Sequence, residues 1–237
     1  MQTSVESITK DEFLEGQILL LDKPLTWTSF QAVNSVKWTI RKKFQLKKLK
    51  IGHAGTLDPL ATGLLVVCTG KFTKKISELQ GQLKEYTGTI TLGATTPSYD
   101  LETEVQEMSN TDGLTRQEII DATIQFTGKI EQKPPLFSAL KKDGKRLYEY
   151  AREGTVVDIP SRSVEIFVFE ITDIKMPNVH FRVVCSKGTY IRSLAHDFGK
   201  ALGVGGHLSA LRRTKIGEYY VDNAVDPTIF RELLLQE

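Results

Sequence analysis

The sequence has few of the residues that metal centres and disulfide frameworks require. It contains 2 cysteines and 4 histidines in 237 residues, with no CxxC pair and no metal-ligand spacing. Cys68 in LLVVCTG and Cys185 in FRVVCSKG lie in apolar runs that predict buried, reduced side chains. The chain also lacks a signal-peptide stretch at its start and an apolar run of membrane-spanning length. These absences predict a cytoplasmic protein without a metal site and without a membrane partner.

A large excess of charge of either sign is missing too, since the formal net charge is +2. The cations are nevertheless clustered: the segment RKKFQLKKLK (41–50) carries six of them and no acid. Smaller clusters lie in 71–75, 141–146 and 212–215. A single cluster of this kind is typical of a solvated surface, but four clusters that flank the most constrained segments favour a polyanionic partner.

Hydrophobic periodicity predicts an α+β fold. Alternating or fully apolar runs predict strands at 18–23, 64–69, 84–93, 163–175 and 179–186. Helices are predicted from a cap at Ser29 to about Phe44, over 72–80, and from the TRQE capping box at 115–118 to Gly128. Because these elements show no regular βαβ alternation, we expect a mixed, largely antiparallel sheet flanked by helices and loops.

The segment GHAGTLDPLATG (52–63) surrounds one carboxylate with three glycines, two threonines and a proline. A residue before proline is restricted to extended conformations, so the backbone of Asp58 has little freedom. An isolated Asp-Pro pair is most often a structural turn. A single ionised aspartate can also act as a nucleophile or base if a cation keeps it charged and oriented. Arg192 in GTYIR is a candidate for that cation, since a guanidinium stays protonated and binds a carboxylate through two parallel hydrogen bonds.

Aromatic side chains also lie near the basic clusters. Tyr86, Phe137, Tyr148 and Tyr190 are either packing residues or platforms on which a nucleobase stacks. His53 is either a turn residue or a wedge that enters an opened base stack. The residues alone therefore indicate an RNA- or nucleotide-handling enzyme with one catalytic carboxylate.

Six motifs occur in order between about residue 16 and about residue 227: LLLDKP, GHAGTLDPLATG, KEYTGTITLG, PPLFSALKKDGKRLYEYAREG, CSKGTYIRSLAHDFGKALG and LRRTKIGEYYV. Together they resemble the bacterial tRNA pseudouridine-55 synthase (TruB) family, in which the uracil of one T-loop uridine is detached from N1, turned and rejoined through C5. The resemblance implies the pseudouridine synthase fold and an isomerase (an intramolecular transferase) that flips its target base. It also implies no cofactor, the T-arm of tRNA as substrate, and a monomer with no obligate protein partner.

By the same resemblance, Asp58 matches the nucleophile, which attacks C6 or C1′ or lets a glycal form. Arg192 matches the residue that pairs with this aspartate. Tyr86 matches the aromatic residue that stacks on the target base, and it is a candidate proton acceptor. Tyr190 and Leu211 match residues that line the pocket of the flipped uracil.

The resemblance also covers His53, Asp100 and two longer segments that are expected to bind RNA. His53 matches the side chain that fills the place of the flipped base. Asp100, in the loop TTPSYD, matches a further carboxylate of the family. This loop departs from the family motif, which is more acidic. The cationic segment 41–50 and an insertion at about 133–157 are expected to grip the T-arm backbone.

The domain organisation follows from the same resemblance. Family members commonly carry a C-terminal PUA domain, whereas the chain stops at TIFRELLLQE. We therefore expect a short form without that domain, made of a polar N-terminal extension (1–15) and a single catalytic domain (16–237).

Two other functions are compatible with the residues. A non-catalytic RNA-binding or tRNA-folding module needs the basic surface but not Asp58. An RNA or nucleoside hydrolase uses Asp58 but releases uracil or breaks the strand.

Overall fold

The computed structural model describes residues 5–138, 140–155 and 157–235, and for Glu107 the backbone only. Residues 1–4 of the predicted extension, Ala139 and Val156 of the predicted insertion, and residues 236–237 lie outside the described residues. The chain divides into two compact units. The first comprises the residues up to Tyr86 together with those from Arg212 on, and the second comprises Thr87–Leu211.

The described residues form seven α-helices and thirteen strands. The helices are α1 (Lys10–Glu15), α2 (Ser29–Phe44), α3 (Ile76–Gly81), α4 (Arg116–Asp121), α5 (Leu147–Arg152), α6 (Ile191–Ala201) and α7 (Pro227–Leu235). The strands are β1 (Ile18–Lys23), β2 (Ile51–His53), β3 (Ala61–Thr69), β4 (Lys84–Leu92), β5 (Ala94–Thr95), β6 (Glu107–Met108), β7 (Gly128–Gln132), β8 (Lys141–Lys142), β9 (Lys145–Arg146), β10 (Arg162–Lys175), β11 (Asn178–Cys185), β12 (Gly206–Ile216) and β13 (Tyr219–Tyr220). The ladders β1–β3, β2–β3, β7–β10 and β10–β11 are antiparallel. The predicted α+β class is confirmed.

The first unit is built around β3, which has both β1 and β2 as antiparallel neighbours and β12 next to it in the strand order β1–β3–β12. Leu65 and Val67 belong to one core cluster, whereas Leu64, Val66 and Cys68 belong to another. Because both faces of β3 are covered, its sequence is a continuous apolar run and does not alternate.

The larger of these clusters contains residues from three helices. Phe13 of α1, Ile40 of α2 and Phe230 of α7 are fully buried in it. Ile8 is buried in the same cluster. Val5 packs against this cluster too, so the predicted polar extension contributes apolar side chains to the core.

Helix α2 begins one residue earlier than a cap at Ser29 would require. Thr28 is the N-cap: its hydroxyl accepts a hydrogen bond from the Gln31 amide at 3.1 Å, and the Gln31 side chain accepts one from the Thr28 amide at 2.8 Å. This reciprocal capping box satisfies two of the amides that a helix start leaves without a partner. The predicted cap at Ser29 is wrong, and its hydroxyl is used elsewhere, as described below.

The second unit contains the strand order β4–β11–β10–β7, with β4 contributing its residues from Thr87 on. Phe198 of α6 packs edge-on against Phe126 and Phe169, with ring centroids 6.2 and 5.2 Å apart. Phe169 packs in turn against Phe181 of β11 at 6.1 Å. These aromatic contacts fix α6 on the sheet of this unit.

Two predicted helices are shorter than expected. The capping box at Thr115 is confirmed, but α4 ends at Asp121 because the chain continues into a 3-10 turn, Ile124–Phe126. Gly128, with φ of +94°, begins β7 and does not close the helix. The segment predicted as a helix over 72–80 is a 3-10 helix, Gly70–Lys75, followed by α3.

Gly63 is a position in the first unit where a side chain cannot be accommodated. Its φ is +102°, and an added Cβ would overlap the backbone of Arg213 on β12. We expect Gly63→Ala to lower the free energy of unfolding by more than about 2 kcal/mol, because the β3–β12 contact must open and the left-handed backbone is strained. Urea denaturation of the purified variant measures this.

Gly81→Ala is the matched control, because nothing lies within 4 Å of a Cβ placed at Gly81 and its φ is not positive. A Gly63→Ala protein as stable as Gly81→Ala would show that the two strands are not packed at this distance.

Candidate active site

The loop that carries Asp58 is fixed through its backbone. Leu57, directly before Asp58, donates its amide to the Ser29 hydroxyl at 2.8 Å, and the same hydroxyl donates to the Leu57 carbonyl at 3.0 Å. The carbonyl of Asp58 accepts a hydrogen bond from the Ala61 amide at 3.1 Å. Ser29 is the first residue of α2, so the loop is attached to a helix that is itself packed in the core.

Pro59, the next residue of the loop, is fixed by hydrogen bonds from residues that precede α2 in the chain. The carbonyl of Pro59 accepts hydrogen bonds from the Thr26 amide at 2.8 Å and from Lys23 Nζ at 3.4 Å. Three consecutive residues of the loop, Leu57, Asp58 and Pro59, therefore have hydrogen-bonded backbones. The rigidity predicted from the Asp-Pro pair is built from contacts distant in sequence.

Lys23 is a buried cation beside this loop. Its ammonium donates to the carbonyls of Pro24 at 2.8 Å and Trp27 at 2.6 Å in addition to Pro59. Burial lowers the pKa of Lys23 to about 8; the negative charge of Asp58 opposes this effect, and the positive charge of Arg213 adds a smaller one in the same direction. Lys23 is therefore charged at pH 7 and acts electrostatically on Asp58.

Arg213 is a second buried cation of the same unit. Its Nε donates to the Leu64 carbonyl at 2.7 Å, and its Nη2 donates to the Gly55 carbonyl at 3.0 Å. Gly55 has φ of +105°, which turns its carbonyl toward the guanidinium. Arg213 thereby ties the start of the loop to β3 and β12.

His53 ends β2 and lies opposite Val67 of β3. Burial lowers the pKa of His53, the backbone of Gly55 opposes this effect, and the charge of Arg213 adds to it. Its Nδ1 is buried and has no hydrogen-bond partner among the described residues. His53 therefore presents a neutral imidazole at pH 7, next to the carboxylate loop.

Two further features of the first unit are an ion pair between β12 and β1 and a tyrosine on β4. Arg212 binds Asp22 with two hydrogen bonds, of 2.9 and 2.7 Å, and both side chains are partly exposed. Tyr86 lies near the start of β4 and is 9% exposed, so most of its ring is covered.

Arg192 of the second unit is buried at the second residue of α6. Its Nη1 donates to the Ser98 carbonyl at 3.2 Å and lies 3.6 Å from Asp100 Oδ2. Asp100 is also buried, and its Oδ1 accepts a hydrogen bond from the Glu102 amide at 2.9 Å. The weakly supported carboxylate of the sequence analysis is thus an ionic partner of the predicted active-site arginine.

Tyr190 directly precedes α6 and is clamped from two adjacent strands. The buried side chain of Gln132 accepts from the Tyr190 amide at 2.7 Å and donates to the Tyr190 carbonyl at 3.0 Å. The guanidinium of Arg162 lies 4.5 Å from the centre of the Tyr190 ring and donates to the Gly188 carbonyl. Gln132 and Arg162 are paired across β7 and β10, so one strand pair fixes both the backbone and the ring of Tyr190.

The predicted RNA-binding segments differ in how their charge is used. All six cations of 41–50 are exposed. In the insertion, Lys145 pairs with Glu153 and Lys142 donates to the Asp158 carbonyl at 2.7 Å. The segment 41–50 therefore carries the denser exposed positive charge.

The structure distributes the predicted site residues over the two units. The first contains Asp58, His53 and Tyr86, and the second contains Arg192, Asp100, Tyr190 and Leu211. The pairing of Asp58 with Arg192 joins residues of different units and stays a prediction.

Sequence reasoning missed Lys23, Arg213, Ser29, Gln132 and Arg162. Lys23 could have been identified as a charged residue at the end of an apolar strand. Arg213 could have been identified in a similar way, as an arginine inside β12.

Neither a metal-binding cluster nor a membrane-spanning helix occurs among the described residues. No group of three or more His, Cys, Asp and Glu side chains there is arranged to hold a metal ion. No helix in the same residues is long and apolar enough to cross a membrane.

Comparison with known sequences places the chain in a family. Residues 41–191 match the TruB family pseudouridylate synthase N-terminal domain, and residues 192–234 match the tRNA pseudouridylate synthase B C-terminal domain. The tRNA pseudouridine synthase B of Flavobacterium johnsoniae is 64% identical over 228 residues, which are 96% of this chain and 100% of that protein. The protein of the same name from Chloroherpeton thalassium is 56% identical over 213 residues, 89% of this chain and 87% of that protein.

Solved structures give the same result for the fold. A chain in the crystal structure of a Cbf5-Nop10-Gar1 complex has a TM-score of 0.67 and 32% identity, over 94% of this chain and 56% of that chain. This chain thus spans a little over half the length of that structural relative. The chain belongs to the TruB family of pseudouridylate synthases, and it has the pseudouridine synthase fold that its motifs predicted.

Proposed function

We propose that the chain converts the T-loop uridine at position 55 of tRNA to pseudouridine, with Asp58 as the nucleophile. Its relatives of high identity over nearly the whole chain are named tRNA pseudouridine synthase B. The observation that carries the assignment of Asp58 is the hydrogen-bonded backbone at Leu57, Asp58 and Pro59, beside a buried cation. A nucleophile needs such fixation, since small misplacements of reacting groups lower rates strongly.

The reaction rearranges bonds within one nucleotide. The C1′–N1 bond breaks, the uracil turns, and a C1′–C5 bond forms, while C5 loses a proton and N1 gains one. No atoms are gained or lost overall, so the reaction needs no co-substrate. Asp58 attacks C6 or C1′, or it stabilises a positive sugar from which a glycal forms; all three routes need an ionised carboxylate.

The charges around Asp58 keep it in that form. Lys23 acts on Asp58 within the first unit. We assign Arg192 as a second cationic partner, as the motif resemblance implies. The Asp100 carboxylate and the Ser98 carbonyl hold the guanidinium of Arg192 in place, so the arginine is preorganised for a further carboxylate.

The aromatic residues receive the roles that base flipping requires. Extruding a base costs a few kcal/mol of unstacking, which new stacking contacts must offset. Tyr86 stacks on the extruded uracil and is a candidate proton acceptor, while Tyr190 and Leu211 line its pocket. His53, whose pKa is lowered by burial, enters the vacated place as a neutral ring that stacks without adding charge.

The RNA grip is assigned to the exposed cations of 41–50 and to the 133–157 insertion, acting on the T-arm backbone. In the insertion, the guanidinium groups of Arg146 and Arg152 lie 5.9 and 5.4 Å from the ring centre of Tyr148. Guanidinium groups bind phosphates, and aromatic rings stack on bases. We further propose that the protein acts as a monomer and that it acts in the cytoplasm, on tRNA.

The proposal predicts that Asp58→Asn abolishes turnover while tRNA binding stays within about threefold of wild type, because the amide keeps the shape but cannot act as a nucleophile. Unmodified tRNA is incubated with each protein, carbodiimide modification then maps pseudouridine, and filter binding gives the affinity. Asp112→Asn, at an exposed loop residue, is the matched control.

The competing functions give other results. Free uracil or broken strands would identify a hydrolase. Loss of binding and turnover together in Asp58→Asn would make Asp58 structural, and a wild-type protein that binds tRNA without forming pseudouridine would be a binding module.

A second prediction concerns Arg192. We expect Arg192→Lys to lower kcat at least about 100-fold, because a single ammonium cannot keep the contacts of Nη1 with Ser98 and Asp100 and also bind Asp58 as the rest of the guanidinium fork is proposed to do. Single-turnover kinetics measure this, with Arg231→Lys, an exposed arginine of α7, as control. Near-normal turnover of Arg192→Lys would argue against the assigned ion pair.

A third prediction concerns the buried ammonium of Lys23. Its folded pKa of about 8 lies below the usual value of 10.5, so between these values the unfolded state binds more protons and stability rises with pH. The stability of wild type relative to Lys23→Met should therefore increase from pH 8 to pH 10, by up to about 1.4 kcal/mol per pH unit.

Urea denaturation at several pH values checks this, and the exposed Lys43→Met is the control for loss of a surface cation. A constant difference between wild type and Lys23→Met across this pH range would contradict the lowered pKa.

A further inference from the structure

Tyr99 has a backbone conformation that is rare for a bulky residue. Its φ is +65°, in the left-handed region. Its amide donates to the Thr96 carbonyl at 3.2 Å, and its carbonyl accepts from the Leu208 amide at 2.9 Å. A conformation of this kind persists only where the surroundings hold it, and it is a reason to ask what the turn does.

The ring of Tyr99 lies flat on the ring of His196, with centroids 3.9 Å apart and an interplanar angle of 15°. His196 follows Arg192 by four residues in α6, so the two side chains lie on the same face of the helix, one turn apart. The turn around Tyr99 therefore contacts this face of α6 at two points, the stacked rings and the Arg192 guanidinium.

The two residues that flank Tyr99 both contact the same nitrogen of that guanidinium. The Ser98 carbonyl lies 3.2 Å from Arg192 Nη1 and Asp100 Oδ2 lies 3.6 Å from it. Tyr99, with its left-handed backbone, is the residue that joins the two suppliers of these oxygens. The conformation of this residue therefore sets how Ser98 and Asp100 are placed relative to each other.

We propose that Tyr99 is a positioning residue: by stacking on His196, it holds the 98–100 turn where the Ser98 carbonyl and the Asp100 carboxylate both fix Arg192. The inference rests on the proposed function, because it matters for catalysis only if Arg192 acts on Asp58. In this role Tyr99 acts through Arg192 and not directly on the reacting base.

The test distinguishes the effect of the Tyr99 ring from that of the Tyr99 backbone conformation. Asparagine tolerates a left-handed conformation, so Tyr99→Asn removes the stack without new backbone strain, whereas Tyr99→Phe keeps the stack and removes the hydroxyl. We expect kcat to fall about tenfold in Tyr99→Asn with KM for tRNA unchanged within about twofold, and Tyr99→Phe to restore wild-type kcat. His196→Ala should match Tyr99→Asn, and the double variant should be no slower than either single variant.

A structural readout accompanies the kinetics. Amide hydrogen exchange should be faster at Leu208 and Glu102 in Tyr99→Asn, because these amides bond to the Tyr99 carbonyl and to Asp100 Oδ1, and it should be unchanged in Tyr99→Phe.

Three results would overturn the inference: wild-type kcat in Tyr99→Asn, equal losses in Tyr99→Asn and Tyr99→Phe, or a raised KM with unchanged kcat. Unchanged exchange at both amides would also overturn it. A wild-type protein that forms no pseudouridine would contradict the proposed function only. Amide hydrogen exchange in the variants would still decide whether the Tyr99 ring holds the 98–100 turn.

Discussion

The hydroxyl of Ser29 is the contact on which the site depends most directly. One oxygen accepts from the amide and donates to the carbonyl of Leu57, so both peptide groups next to that residue are fixed, and Asp58 follows at once. Ser29 belongs to a helix of 16 residues whose apolar face, including Val36 and Ile40, is buried in the main core. The carboxylate loop therefore has the rigidity of the core and not that of a surface turn. An enzyme that must receive a large RNA without losing the position of its nucleophile needs this coupling.

The buried cations show how the fold tolerates charge where the chemistry requires it. An unpaired ion in a protein interior is strongly unfavourable. Lys23 and Arg213 are instead surrounded by backbone carbonyls, which belong mostly to loop residues that leave strands or precede helices. The same hydrogen bonds that satisfy the cations fix the loops, so electrostatics and rigidity have one structural origin. Such fixed charge needs no reorganisation during the reaction, which is the main advantage of a preorganised site.

Much of the fold and a part of the site were accessible from the sequence, for identifiable reasons. The strands β1, β3, β10 and β11 were predicted because local periodicity reports burial directly. The cap of α2 was placed one residue late because Thr28 and Ser29 are both good caps, and only the distant Leu57 decides which hydroxyl is used. Lys23, Arg213 and Gln132 were missed because each acts on a residue far away in sequence. Asp58, Arg192 and Asp100 were predicted through motifs, and the contact of Asp100 with Arg192 was not predicted.

The composition of the proposed site has a consequence for the chemistry. As proposed, it would combine three cations, Lys23, Arg192 and Arg213, with two carboxylates, Asp58 and Asp100, which is an excess of one positive charge. A uracil detached from its sugar carries negative charge at the ring nitrogen that held the bond, and an adjacent excess of positive charge lowers the energy of that state. Asp100 partly neutralises Arg192, so under the proposed pairing it would limit how tightly Arg192 holds Asp58. A carboxylate bound too strongly by a guanidinium would be ionised but a poor nucleophile. Under the proposed pairing, an arginine shared between two carboxylates would keep Asp58 charged and still reactive.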